Sequence, residues 1–236
     1  MIAIGTTDFY FAAPNIAKWR LEEYSLALFD SGELSVEHNL LLPDYSLSLE
    51  IEEGSIKGKG KLAAGLAAVY LGIASYGSFI SGLQIIRDQI TTVSDVLAET
   101  AGKQVGIQHG FAKVRKRSEV LGSLQRLFVR VQRGEISPEQ AIGEAEVLIG
   151  ADANESPAFM SSLVQSLIEA PRFHEQIPLP LDSLDDTIPG ERPEKERPPR
   201  KPSAPSWPTP AHLRVEVWRE SKKQKKNYRT TNVWRS

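Results

Sequence analysis

The chain of 236 residues contains no cysteine, which excludes disulfides, thiolate nucleophiles and sulfur-ligated metal sites. Its four histidines are far apart in the sequence, and none stands in a metal-ligand spacing such as HExxH. No GxGxxG, GxxxxGK or GxSxG motif follows a strand, so the common phosphate-binding loops and nucleophile elbows are missing. We therefore expect a protein that is not an enzyme and that holds no metal and no cofactor.

The net charge is also small: the chain has 28 basic and 30 acidic residues, which gives a net charge of -2. No overall field attracts the chain to nucleic acid or anionic lipid, so any such attraction must be local. Residues 1–8 have neither the basic nor the apolar region of a cleaved secretory signal. We expect a cytoplasmic or inner-membrane-associated protein.

The first 60 residues predict a small α+β unit. Apolar residues near helical spacing predict a helix over 15–29. Leu34 and Val36 alternate with polar neighbours and predict the start of a strand. The clearest alternation runs over 45–61, where apolar residues at every second position give way to lysines at every second position. This segment predicts an antiparallel β-hairpin with one apolar face, and its lysines are typical of a solvated edge strand.

The segment from Leu62 to Ile86 carries no formal charge over 25 residues. Its length and alanine content favour a helix over a strand. Because the apolar repeat continues beyond Arg87, we expect one long helix over 61–101, about 60 Å long at 1.5 Å per residue.

Three interpretations of this helix remain open. Small residues at four-residue spacing would let a second helix approach closely, as in membrane helix pairs or in self-association. The predicted helix-packing residues are Ala64, Ala68, Gly72, Ala74, Ser78 and Gly82. Tyr70 and Tyr76 weigh against lipid, since each buried hydroxyl would need a partner. The alternatives are a buried core helix of a soluble fold and a mobile helix that inserts on activation.

Residues 112–170 predict a small helical bundle. Ser137-Pro138 supplies an N-cap hydroxyl and a first-turn proline, Gln140 completes a capping box, and Gly150 suits the C-terminal end. Ser156-Pro157 repeats the start signal. Prolines and charges dominate 171–210, so we expect a disordered linker there.

The last segment, 211–236, interleaves basic and aromatic residues. Basic side chains contact phosphates and aromatic rings stack on bases, so the mixture suits lipid headgroups or single-stranded nucleic acid. The candidate contact residues are Trp218, Arg219, Lys222, Lys223, Lys225, Lys226, Tyr228 and Arg229. The alternation from Leu213 to Val217 equally predicts a plain surface hairpin or a solubilising, disordered tail.

The sequence thus predicts an α+β protein: an N-terminal helix with a small hairpin sheet over 1–60, the long helix, the bundle, the linker and the tail. The favoured function is a non-enzymatic interaction protein that associates with a membrane or with itself through the 62–86 helix. The alternative is a soluble adaptor or accessory subunit of a larger assembly, with nucleic-acid contact by the tail as a weaker possibility. A protein partner is expected and a small-molecule substrate is not.

Overall fold

A computed structural model describes residues 1–11, 17–53, 56–104, 113–172 and 212–233. Within these residues the fold is mixed α+β, as expected, with one six-stranded antiparallel sheet and six α-helices. The strands are β1 (Ile2–Phe11), β2 (Ser46–Glu52), β3 (Ile56–Ala64), β4 (Lys113–Arg117), β5 (His212–Arg219) and β6 (Asn227–Val233). The helices are α1 (Lys18–Asn39), α2 (Leu66–Ala74), α3 (Phe79–Gln104), α4 (Glu119–Gln132), α5 (Pro138–Ile149) and α6 (Pro157–Ile168), and a 3-10 helix spans Gly150–Glu155.

The strands lie in the order β4-β1-β3-β2-β5-β6, and every neighbouring pair is antiparallel. The hairpin predicted over 45–61 is confirmed as β2 and β3. The expectation of an edge strand for its lysines is wrong, because β1 pairs with the other side of β3. β1 and β4 extend the sheet on one side, and β5 and β6 extend it on the other. The sheet therefore joins the two ends of the described chain.

Helices α1 and α3 cover one face of this sheet. A Cβ added at Gly32 of α1 would lie 3.2 Å from Leu97 of α3 and 4.0 Å from Leu47 of β2, so the three elements meet closely. The buried hydroxyl of Tyr24 donates a hydrogen bond of 3.1 Å to the carbonyl oxygen of Ala101, which ties α1 to α3. Burial raises the pKa of Tyr24, so this phenol stays neutral and keeps its donor.

Helices α2, α4 and α6 pack against α3 near its N-terminal end, and α5 packs against α4 and α6. The ring of Phe79 lies 6.1 Å from that of Phe128 in α4 and 5.3 Å from that of Phe159 in α6, measured between centroids.

The predicted capping box at the start of α5 is confirmed. Gln140 donates its backbone N–H to Ser137 Oγ at 3.3 Å, and Ser137 donates its backbone N–H to Gln140 Oε1 at 3.0 Å.

The expected long helix over 61–101 is wrong. Residues 62–64 belong to β3, residues 66–74 form α2, and α3 begins only at Phe79. Gly77 has a φ of +84° in the turn between the two helices, and Ser78 Oγ accepts the backbone N–H of Ser81 at 3.2 Å. Glycine alone adopts that φ without strain, and the serine caps the new helix. α2 and α3 are bent by 109°.

This break also bears on membrane insertion. Among the described residues, no single helix has both the length and the apolar character needed to cross a membrane. α2 and α3 satisfy those two criteria only when they are taken together across their bend.

Three further expectations about elements are corrected. Leu34 and Val36 lie in α1, not in a strand, because Val36 faces the core while Leu34 is 69% exposed, as helical rather than alternating burial requires. Residues 113–117, assigned to the bundle, form strand β4. For residues 212–233 the hairpin interpretation is confirmed and the disordered tail is wrong, because β5 and β6 pair with each other within the sheet. Most of the expected linker, from residue 173 onward, lies outside the described residues.

Candidate anion-binding face of the sheet

Alternating glycines in β3 determine which side chains face the helices. A Cβ added at Gly58 would lie 1.9 Å from Phe9 Cζ, and one at Gly60 would lie 2.6 Å from Leu97 Cδ2. Both glycines therefore turn toward the core, where a ring and an α3 leucine fill the space that their side chains would need. Because strand side chains alternate, the intervening lysines turn away from the helices. They are Lys57, Lys59 and Lys61.

We call the opposite surface, which those lysines share, the outer face. The register extends it across all six strands. Its basic residues are Lys57, Lys59, Lys61, Lys113, Arg115, Arg117, Arg214 and Arg229. Its acidic residues are Asp8, Glu50, Glu52 and Glu216. A chain with a net charge of -2 thus concentrates positive charge on one side.

Arginines neutralise the carboxylates of the outer face. Arg117 pairs with Asp8, and Arg214 pairs with Glu52. Arg214 also lies 3.1 Å from Glu50, and Arg229 lies 2.6 Å from Glu216. The hydrogen bond to Glu52 raises the pKa of Arg214 above its ordinary value. The other five cations have no ion pair with any residue that the structure describes: Lys57, Lys59, Lys61, Lys113 and Arg115. No described carboxylate neutralises these five cations, so within the described part of the chain they are the ones positioned to contact an external anion.

Two shallow clefts lie on the outer face, and each has an aromatic side chain in its lining. The first, of about 400 Å³, is bordered by Tyr10 together with Lys57, Lys113 and Arg115. The second, of about 320 Å³, is bordered by Trp218 together with Lys61. Glu50 and Lys59 line both clefts. The clefts are therefore neighbours, and cations lie beside both rings.

The structure divides the candidate residues of the tail into separate groups. Trp218 and Arg229 lie on the outer face. Arg219, Lys222 and Lys226 pair instead with acidic residues of α1, respectively Glu33, Glu37 at 3.7 Å, and Asp30. Lys223, Lys225 and Tyr228 are exposed, Tyr228 on the helix side of β6. Half of the expected basic cluster thus attaches the hairpin to α1.

The candidate helix-packing residues are also divided. Ala64, Ala68, Gly72 and Gly82 are buried within the chain, whereas Ala74 and Ser78 are exposed. A Cβ added at Gly72 would lie 3.1 Å from Ile86 Cδ1, and one at Gly82 would lie 2.4 Å from the carbonyl oxygen of Ile73. The two glycines therefore permit the close approach of α2 to α3 in one molecule.

Sequence reasoning missed the contribution of β4. Lys113, Arg115 and Arg117 lie in the segment from which a helical bundle was expected, yet their spacing of two is that of one strand face. Val114 turns toward Phe9 of β1 and is the sole apolar residue of the strand. Because one apolar residue cannot show an alternating pattern, the charged residues at every second position were the available sign of a strand.

No family model, curated protein or solved structure matches this chain. Within the described ranges, no group of three or more His, Asp or Glu side chains is arranged to hold a metal ion. His38 lies in α1 and His212 in β5, while His109 and His174 lie outside the described residues.

Asp44 fixes the turn between β5 and β6. Its Oδ1 accepts hydrogen bonds of 2.9 Å from the hydroxyl of Ser221 and the backbone N–H of Lys222, and one of 3.0 Å from the backbone N–H of Tyr45. Desolvation acts to raise the pKa of Asp44, but these hydrogen bonds and the nearby charge of Lys223 lower it overall. The carboxylate is thus held in its charged form at the base of the hairpin.

We expect Asp44→Asn to reduce the free energy of unfolding at pH 7 by about 1 kcal/mol, because charged hydrogen bonds are weakened and the site is partly solvated. Since the folded pKa lies below the unfolded one, the wild-type advantage is complete above about pH 4 to 5 and disappears at lower pH. Urea unfolding at several pH values measures this difference. Asp88→Asn, at an aspartate whose side chain is 60% exposed, is the control and should change little. An equal loss in both variants would contradict the role of Asp44.

Proposed function

We propose that this chain is a non-enzymatic interaction protein that binds single-stranded nucleic acid on the outer face of its sheet. The observation that carries the proposal is the set of five cations that have no ion pair with a described residue, beside two clefts that each contain an aromatic ring. Cations along a strand attract the phosphate backbone, and aromatic rings provide stacking surfaces for any base. An exposed β-sheet with aromatic side chains is one of the recurring surfaces for single-stranded RNA.

The distance between the two rings favours an extended ligand. Tyr10 and Trp218 lie on strands three spacings apart, about 14 Å across the sheet, and are offset by four residues along it, so they stand about 20 Å apart. Stacking on both rings requires bases that are free of their own partners. A duplex keeps its bases stacked inside, so it would reach the cations but not the rings.

The proposal keeps the interaction function expected from the sequence but not the 62–86 helix as its contact surface. An interaction function remains in the proposal, as does an accessory role in a larger assembly. The 62–86 segment is not used as the contact surface, because Gly72 and Gly82 are occupied by packing within the chain. Of the candidate tail residues, Trp218 and Arg229 belong to the proposed surface.

Fluorescence anisotropy with labelled oligonucleotides of about 4 to 16 nucleotides, the range of single-strand sites, tests the proposal. Five phosphate contacts give a slope of log affinity against log salt of about -3.5, so raising salt fourfold should weaken binding roughly 100-fold. We expect a matched duplex to bind more weakly. Trp218→Ala should weaken single-strand binding about tenfold, since one stacked base contributes about 1–3 kcal/mol.

Tyr228→Ala is the matched control for Trp218→Ala, because Tyr228 is an exposed aromatic residue of the same hairpin on the opposite face. Absence of any salt-sensitive oligonucleotide binding would refute the proposal. Tighter binding to vesicles that contain phosphatidylserine would replace it with a lipid surface. Equal binding of duplex and single strand would remove the stacking part.

A further inference from the structure

β6 is an edge of the sheet whose outer side pairs with no described residue. Its seven residues, Asn227–Val233, include one charged residue and neither proline nor glycine. Tyr228, Thr230, Thr231 and Val233 are of types that favour strands. Apart from Arg229, this edge lacks the charges, prolines and bulges that usually block pairing with another chain.

The opposite edge, β4, has the reverse character. Four of its five residues are basic. In a symmetric antiparallel pair centred on Arg115, that residue would face its own copy, and Lys113 would face Arg117. Like charges directly opposite each other destabilise a strand pair. β4 therefore disfavours this pairing with a second copy, whereas the symmetric register of β6 opposes no two like charges.

We propose that β6 pairs with β6 of a second copy of this chain, in antiparallel register about a two-fold axis through Thr230. This register is the one that pairs all seven residues of the strand, because Thr230 is its midpoint. It sets Arg229 opposite Thr231 of the second copy and Tyr228 opposite Asn232. A register centred on Arg229 would instead oppose the two arginines and lose part of the overlap.

The neighbours of β6 suit this arrangement. Arg229 is bonded to Glu216 within its own chain at 2.6 Å, so its charge is partly compensated. On the helix side, the hydroxyl of Thr230 donates a hydrogen bond of 2.8 Å to Glu22 of α1. This bond fixes the strand within its own chain, so pairing with a second copy needs no rearrangement. An axis perpendicular to the sheet keeps both outer faces on the same side. The dimer would have one continuous twelve-stranded sheet, within the size known for open sheets. The inference does not depend on what the outer face binds.

Sedimentation velocity of the full chain over a concentration series tests the pairing, with two variants at one position. Thr231→Lys places a positive charge opposite Arg229 of the second copy at two symmetric contacts, and we expect the dimer dissociation constant to rise at least tenfold. Thr231→Glu places a negative charge there and should leave the dimer unchanged or tighter. Both variants alter a half-buried position of the edge strand that lies opposite Arg214 of β5 in the same chain, and circular dichroism checks that both fold.

The lack of cysteine permits a second test of the register. With a single Thr230→Cys, the two thiols would lie directly opposite each other, and a short bifunctional thiol reagent should link the dimer. With Asn227→Cys, the two thiols would stand six residues apart, about 20 Å, and should not be linked. A wild-type chain that stays monomeric at about 100 µM, where a dimer with a micromolar dissociation constant would form, overturns the proposal. So does a dimer that responds equally to Thr231→Lys and Thr231→Glu, or that links equally through both cysteines.

Discussion

Replacing Gly82 by alanine is expected to lower the free energy of unfolding by about 3 kcal/mol, the upper part of the range for overpacking a core. The added Cβ would lie 2.4 Å from the carbonyl oxygen of Ile73 and 2.9 Å from its Cα. Both are backbone atoms of α2, so no rotation of a side chain relieves the contact. α2 and α3 must separate, which removes part of the burial of Ile73.

Gly143→Ala is the matched control, since Gly143 also lies inside a helix but a Cβ there meets nothing within 4 Å. Alanine should raise the free energy of unfolding at this exposed position by up to about 1 kcal/mol, because it restricts the unfolded chain. Thermal unfolding separates the two variants: Gly82→Ala should lower Tm by about 10 °C and Gly143→Ala should not.

The same pair of variants tests the self-association that small-residue spacing suggested. If Gly82 packs against a second copy, its substitution should weaken an oligomer and leave the unfolding of the single chain unchanged. If Gly82 packs against Ile73 of its own chain, unfolding changes at every protein concentration. Equal stability of Gly82→Ala and Gly143→Ala would contradict the close contact of α2 with α3.

Local signals account for what the sequence predicted well. The hairpin of β2 and β3 follows from strict alternation in which Leu49 and Ile51 face the core, and the capping of α5 by Ser137 depends on residues three apart. Neither feature needs a distant partner. The α+β class could therefore be read from the sequence, although the size of the sheet could not.

Long-range pairing accounts for most of what the sequence did not predict. β4 pairs with β1, more than 100 residues earlier in the chain, so only the fold explains why Lys113–Arg117 becomes a strand. In β1 the register shifts between Ala3 and Gly5, and this irregularity hides the alternation that would mark a strand. The break before α3 had one local signal, Gly77, within an apolar run that suits a buried helix equally well.

The outer face was hidden for the same reason. Its lysines in β3 were visible as an alternating set, but their neighbours in β4 and the ring of Trp218 come from distant segments. The tail cluster looked stronger because its charges are close in sequence. Three of those charges are paired with α1, so proximity along the chain overstated their availability.

The last prediction therefore compares the two basic clusters directly. The variant Lys57→Gln, Lys59→Gln, Lys61→Gln removes three charges from the outer face. The matched control, Lys103→Gln, Lys223→Gln, Lys225→Gln, removes three charges from exposed positions away from it. Both variants have the same net charge, so any general field effect is equal, and glutamine keeps most of each aliphatic stem.

If phosphates contact the outer face, losing three cations should reduce the magnitude of the salt slope by about 2, at 0.7 for each phosphate of a single strand. If the wild-type chain and the variant bind equally at 1 M salt, a slope difference of about 2 gives about a 100-fold loss of affinity at 0.1 M salt. The control variant should lose less than about threefold, the effect of a distant, screened charge. A larger loss in the control would move the interface to the β5–β6 turn or to the end of α3 at Lys103, and in either case would contradict the proposed use of β3. Equal, small losses in both would mean that the cations of β3 do not contact the oligonucleotide, and the contribution of Lys113 and Arg115 would then have to be measured in the same way.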